Sequence, residues 1–196
     1  KRVTEAIPHT KELNPELFEI YGRTALTGNS EIFEVYFKPL SKWFSISVFS
    51  MRKEYFVAVF VDITERKRFE AQIVHEHNRI QTLLENAPFG IMLINKDGSI
   101  AYVNPKFTEL FGYIQSDIPD GRTWLKNAYP DTEYRHTVIS IWMKDIEEVK
   151  VGQKRPRIFT VTGKNGNEKI INFIPVKLET GEHLISCEDI TEQKRI

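Results

Sequence analysis

The chain has 196 residues, 27 basic against 27 acidic, and is 41% hydrophobic with 13 Phe, 7 Tyr and 3 Trp. That supplies a packed core and excludes disorder by composition, while zero net charge weighs against a nucleic-acid binder, whose phosphate contacts call for a basic excess. A single cysteine, Cys187, leaves no internal disulfide, and no apolar run reaches the roughly 18 residues that cross a bilayer.

No secretory signal opens the chain, and its first residue is Lys1. The expectation is a cytoplasmic fragment of a longer protein, without membrane contact of its own, whose anchor or output domain lies elsewhere. Lys1 to Thr10 lack periodicity and read as a lead-in. A helix follows, with Asn14 as candidate N-cap, Pro15 at the first helical position and Glu16 in the first turn. Leu17, Ile20, Tyr21 and Thr24 form its inner face, and Gly28 suits a left-handed C-cap. Three strands come next. Glu31 to Lys38 alternates with Phe33, Val35 and Phe37 on one face, and Trp43 to Ser50 alternates with Phe44, Ile46 and Val48. After the turn Arg52-Lys53-Glu54, Tyr55 to Val61 is apolar on both faces and reads as a central, doubly covered strand.

A connecting helix then runs over residues 65–86. Either the Thr64 hydroxyl caps it, or Asp62 and Glu65 form a capping box. With Ile73 and Ile80 at heptad position a, the d positions are Phe69, Glu76 and Leu83. Arg66 and Glu76 in the seam make this a weak coiled coil. Pro88 ends it. Gly90 to Asn95 and Ser99 to Val103 read as a hairpin around Lys96-Asp97-Gly98, and Asn104-Pro105 starts a short helix, Lys106 to Phe111, closed by Gly112. Tyr113 to Tyr129 reads as irregular, with at most a short turn near Trp124. Asp131 or Thr132 caps a helix to about Val149 whose inner face is Tyr134, Val138, Ile141, Trp142 and Ile146. Three closing strands follow, Arg157 to Thr162, Glu168 to Lys177 and His183 to Asp189, joined by the turns at Asn165-Gly166 and Glu179-Thr180-Gly181.

The helix and three strands ending in Asp62-Ile63-Thr64-Glu65 repeat as the helix and three strands ending in Asp189-Ile190-Thr191-Glu192. Residues 1–64 therefore read as the second half of a domain whose complete form spans 87–192, with 193–196 starting an output helix.

The ordered set Leu84-Glu85-Asn86-Ala87-Pro88-Phe89-Gly90-Ile91, Asp97-Gly98-Ser99-Ile100, Tyr102-Val103-Asn104-Pro105-Lys106-Phe107 and Leu110-Phe111-Gly112-Tyr113 resembles the opening of a PAS domain. The closing strands with Asp189-Ile190-Thr191-Glu192 resemble its C-terminal PAC portion, as does Tyr36 to Lys67. The resemblance implies an α+β fold: a five-stranded antiparallel sheet in the order 2-1-5-4-3 with helices on one face, preceded by a partial second copy and a connecting helix. It also implies a sensory module of a bacterial signal-transduction protein. Such a module acts on an output domain outside this chain, of histidine kinase or diguanylate cyclase type.

Catalysis finds little support. Cys187 sits in mid-strand, where a buried structural role fits better than a nucleophile, and there is no P-loop, dinucleotide turn or Ser elbow. His75 and His77 are two residues apart on a helix and point to different sides, so they cannot easily share a metal; a solvated face accounts for His75-Glu76-His77. We expect no catalytic residues and no metal site in this fragment. The candidate ligand pocket is Met92, Ile94, Phe107, Leu110, Trp124, His136, Val138 and Trp142, weighed against an ordinary filled core. His136 as a haem ligand is disfavoured, the flavin-adduct Asn-Cys-Arg run is missing, and the cofactor stays open. Asp62, Thr64, Asp189 and Thr191 are candidate signal-transmission junctions, where a capping bond of about 1 kcal/mol can be made or broken. The expected partners are a small ligand and a second copy, bound through the connecting helix and the half-domain; the alternative is a ligand-free dimerisation scaffold.

Overall fold

The structure, a computed structural model, describes residues 14–195; the lead-in expected over Lys1 to Thr10 lies outside the described residues, as does Ile196. The chain divides into two compact units, with the boundary after His77.

The first unit opens with α1 (Pro15–Thr27). Pro15 and Glu16 set its N-terminus as the sequence suggests, and Gly28 ends it at φ 79, donating its N–H to Thr24 O at 2.9 Å. Asn14 stands at the cap position but does not cap: its side chain makes no bond to the helix, and its Oδ1 is buried without a partner. The backbone there (φ −143, ψ 68) departs from the extended geometry that aims a cap side chain at the first turn. Strands β1 (Glu31–Phe37), β2 (Lys42–Arg52) and β3 (Tyr55–Asp62) form an antiparallel sheet in the order β1-β2-β3. Leu17 and Tyr21 of α1 pack on Ile46 and Val48, flanked by Phe33, Val35, Phe44, Phe56 and Ala58.

The expectation of a central, doubly covered β3 fails. The strand pairs only with β2, and Val57, Val59 and Val61 are exposed. Its apolar composition suits a strand with neighbours on both sides, but among the described residues one edge and one face of it have none.

Helix α2 (Thr64–Glu85) links the units, and none of its residues is buried. In the second unit, β4 (Gly90–Ile94) and β5 (Ile100–Val103) form the first hairpin. Helix α3 (Pro105–Phe111) is capped by Asn104, whose side chain accepts from the Phe107 N–H at 2.9 Å. The stretch read as irregular contains a helix, α4 (Gly121–Ala128). Pro119-Asp120-Gly121 looks like a turn, yet the Asp120 carboxylate accepts from the Thr123 N–H at 2.7 Å and starts a helix there. Helix α5 (Thr132–Glu148) is capped by Asp131. Strands β6 (Arg157–Thr162), β7 (Glu168–Lys177) and β8 (His183–Asp189) follow, then a single helical turn, α6 (Thr191–Lys194).

The sheet order is β5-β4-β8-β7-β6, antiparallel at every pair. Counted within the unit this is 2-1-5-4-3, so the expected α+β fold is borne out. Phe107, Trp124, Val138, Phe159 and Phe173 belong to one core cluster that joins the three helices to the sheet. On α5 the buried positions are Val138 and Asp145, with Ile141 and Trp142 partly buried. Tyr134 and Ile146, at the edges of that inner face, are more exposed; the Tyr134 ring lies 5.9 Å from that of the buried Tyr129, and its hydroxyl accepts from the Thr160 N–H at 2.9 Å.

Candidate functional site

Between the sheet of the second unit and helices α4 and α5 lies a cavity of about 500 Å³, within the range of small-molecule sites. Strand register orders its floor. One row runs Met92–Ile185–Pro175 across β4, β8 and β7; the next row toward the strand ends is Ile94–His183–Lys177. All six residues line the cavity, as does Phe173 on the inner side of the first row. The floor therefore grades from apolar to polar in about 7 Å, two residues of strand. Trp124 and Leu125 of α4 and Trp142 and Asp145 of α5 close the opposite wall.

Of the residues expected to form a pocket, Met92, Ile94, Trp124 and Trp142 line this cavity. Phe107, Leu110 and Val138 are buried in the core beside it; the Phe107 ring, 5.2 Å from Trp124 and 4.7 Å from Phe111, fills the space they would enclose. His136 is misplaced by the sequence reading. It is exposed on α5, because two residues on from it, about 200° around the helix, stands the buried Val138. It does not face the cavity.

Sequence reasoning missed Arg122, Asp145, Lys177 and His183. Asp145 is 3% exposed and accepts from Arg157 at 2.7 Å through both Nε and Nη2, and from Arg155 at 2.8 Å. The Arg157 hydrogen bonds, joined by Arg155, outweigh burial and hold its carboxyl below the usual range. The spacing Val138, Ile141, Trp142, Asp145 follows the i, i+3, i+4, i+7 rule and could have placed it inward. Burial, and next Lys177, pull the His183 imidazole below its ordinary value. Cys187 is fully buried, and burial pushes its thiol up, which suits an inert core residue. His75 and His77 are both exposed on α2. Among the described residues no group of His, Cys, Asp and Glu could hold a metal ion, and no helix is long and apolar enough to cross a membrane.

The junction residues form two joints that match bond for bond. At the end of β3, the Asp62 carboxylate accepts from the Thr64 N–H at 3.0 Å and from the Thr64 hydroxyl at 2.6 Å, and the Trp43 N–H donates to the Thr64 hydroxyl at 3.0 Å. At the end of β8, Asp189 accepts from the Thr191 N–H at 3.0 Å and from its hydroxyl, and the Ile170 N–H donates to the Thr191 hydroxyl at 2.9 Å. The Ile63 N–H bonds Trp43 O and the Ile190 N–H bonds Ile170 O, both at 2.9 Å. Lys42 pairs with Asp62 at 2.7 Å and Lys169 with Asp189 at 3.4 Å. Every correspondence has the same spacing as Asp62 and Asp189. Strand registers share it too: Ile46↔Phe60 corresponds to Phe173↔Cys187. Glu54 and Gly181, in equivalent turns, both take positive φ, 69 and 87. The Thr hydroxyl thus pins the outgoing helix to the neighbouring strand, and the Asp, not itself the N-cap residue, accepts from the N–H and hydroxyl of the same Thr.

The joints differ chiefly in the ion pairs of the outgoing helix. Glu34 of β1 receives Lys67 at 2.6 Å and also pairs with Arg66, so α2 leaves the first joint clamped to the sheet. At the second joint the positions of Arg66 and Lys67 are Gln193 and Lys194, and the only ion pair found there among the described residues is Lys169–Asp189.

The last turn of α2 belongs to the second unit and is held there by Asn104, which is fully buried. Its Oδ1 accepts from the Ile91 N–H at 2.7 Å and the Phe107 N–H at 2.9 Å, and its Nδ2 donates to Leu84 O at 3.0 Å and Phe89 O at 3.1 Å. One side chain ties the last turn of α2 to β4 and α3. Between the two ends the seam is bare: Phe69, Ile73, Ile80 and Leu83 are 56–70% exposed.

The family model described as "PAS domain" matches residues 78–142, which lie within the second unit. Similar solved structures include the PAS domain of an HTR-like protein from Haloarcula marismortui, 24% identical over 63% of this chain and 99% of that one, with a TM-score of 0.49. A domain of a sensory box sensor histidine kinase/response regulator from Geobacter sulfurreducens is 20% identical over 60% and 96%, with a TM-score of 0.47. The N-terminal domain of a diguanylate cyclase with PAS/PAC sensor from Marinobacter aquaeolei is 17% identical over 54% and 98%, with a TM-score of 0.45. No curated protein matches the chain.

Proposed function

We propose that the second unit is a regulatory sensor that takes a small ligand in the cavity under α4 and α5 and passes its state to whatever follows Thr191. The supporting observation is that one strand serves both places. His183 and Ile185 of β8 line the cavity, and four residues beyond Ile185 the same strand ends in the Asp189–Thr191 joint. A ligand that shifts β8 moves the joint from which the outgoing helix starts. Because one hydrogen bond of such a joint is worth about 1 kcal/mol, occupancy can change a two-state population several-fold. The output domain lies outside this chain and, on the sequence resemblance, is of histidine kinase or diguanylate cyclase type. In this reading the fragment performs no catalysis of its own, works in the cytoplasm, and binds neither nucleic acid nor membrane.

The first unit we read as the closing portion of another such domain, on the strength of its matching joint and register. The open edge of β3 and the bare seam of α2 support association with a second copy through both. That same seam favours a second reading, a ligand-free dimerisation scaffold. Native mass spectrometry of the purified chain separates the two. A small molecule bound at one per chain supports the sensor; a dimer with nothing bound, in every preparation, supports the scaffold.

A further inference from the structure

The cavity carries a chemical bias. Its three carboxylates are already engaged. Asp97 accepts from the Ser99 N–H and hydroxyl, Asp120 caps α4, and Asp145 is held by two arginines. Of its cations, Arg122 already acts on the Asp120 carboxylate, whereas Lys177, which also lines the cavity, has no ion pair with a carboxylate among the described residues. Lys177 stands beside His183 in the polar row of the floor, and the rest of the floor and the Trp124–Trp142 wall are apolar. A cation left without a partner at one end of an apolar chamber is complementary to a ligand that brings the missing anion.

We propose that the ligand is an amphipathic carboxylic acid, its apolar body between Trp124, Trp142 and the Met92–Ile185–Pro175 row and its carboxylate at Lys177 and His183. This rests on the reading of the cavity as a small-molecule site and adds the orientation and charge of its occupant. Lys177 is then the specificity-determining residue: it separates an acid from an alcohol or amine of the same body. The neutral imidazole of His183, held so by burial and by Lys177, can donate one N–H to the same carboxylate.

The test uses three probes of one shape, octanoate, octanol and octylammonium, titrated into the full chain below their aggregation concentrations. Binding is read by calorimetry and by the fluorescence of Trp124 and Trp142. Octanoate is expected to bind at least about tenfold more tightly than octanol, the ratio that one charge-assisted hydrogen bond confers, with octylammonium weakest. Lys177→Met keeps the stem and removes the charge; it should abolish the preference for the acid while leaving octanol affinity unchanged. The control Lys126→Met, on α4 outside the cavity lining, should leave all three affinities unchanged. Equal binding of acid and alcohol, or a preference that survives Lys177→Met, overturns the proposal and leaves the cavity a ligand site. Binding of none of the three at any concentration below aggregation overturns the proposal together with the small-molecule reading.

Discussion

Replacing Asn104 tests how the incoming helix is held to the domain. Asn104→Ala removes all four of its hydrogen bonds in a place water does not reach. Losing the α3 cap costs about 1 kcal/mol, and orphaning the Ile91 N–H adds roughly 1–3 kcal/mol. The sum, about 3 kcal/mol, is a large share of the roughly 5–15 kcal/mol that holds a domain together. Asn104→Asp is the sharper probe. It keeps both acceptor bonds but sets a carboxylate oxygen against the Leu84 and Phe89 carbonyls. Burial and those carbonyls raise its folded pKa above the unfolded value of about 3.9. Its stability is therefore greatest below that value and falls as pH rises through the folded pKa, so at neutral pH it should be weaker than Asn104→Ala. Amide hydrogen exchange in β4, α3 and the last turn of α2 reads this locally. A loss under about 1 kcal/mol in Asn104→Ala, or an Asn104→Asp variant equally stable at pH 4 and pH 7, refutes the reasoning.

Asp145 has the opposite pH dependence. The Arg157 hydrogen bonds lower its folded pKa, so its contribution is present above about 3.9 and lost as pH falls through the folded value. Asp145→Asn should cost about 2 kcal/mol at neutral pH, less than a fully buried pair because both arginines are partly exposed, and thermal melts of this variant should flatten across the acid range. Gly90→Ala and Gly22→Ala should differ in sign in urea titrations. A Cβ at Gly90 meets the Cys187 Cβ, the Leu110 Cδ1 and the Phe107 Cα, each at 3.2 Å, which costs about 1–3 kcal/mol. A Cβ at Gly22 meets nothing within 4 Å and should stabilise α1 by roughly 0.5–1 kcal/mol. Glu76→Leu completes an apolar seam from Phe69 to Leu83 and should tighten self-association in sedimentation equilibrium; unchanged association would remove α2 from the interface.

The positions of the strands and hairpins were legible because period-2 runs in this chain are bounded by strong turn signals, Asp97-Gly98 and Asn165-Gly166 among them, whereas the sheet order came from the family resemblance. The repeated Asp-Ile-Thr-Glu was legible too, but not what it does. That the Thr hydroxyl reaches back to Trp43 or Ile170 on the adjacent strand depends on register, which a single sequence does not print. Helix α4 was missed because its cap, Asp120, sits between Pro119 and Gly121, and those three residues taken together read as a turn. β3 was read as central from its composition; its neighbour is decided by which other strands are at hand, not by its own residues. The polar half of the cavity was invisible for the same kind of reason. Lys177 and His183 stand at strand ends, where charge ordinarily faces water, and only the β7–β8 pairing brings them onto one face beside Ile94.

The central claim is that cavity and joint are coupled through β8, and the twin joints supply their own control. Ile185→Trp fills the cavity floor without touching either joint. Hydrogen exchange is then compared with the unsubstituted chain at the Ile170, Ile190 and Thr191 amides of the second joint and at the Trp43, Ile63 and Thr64 amides of the first. The account predicts altered protection at the second set with the first set unchanged. Equal protection at both sets, in a variant whose cavity is demonstrably filled, would contradict it.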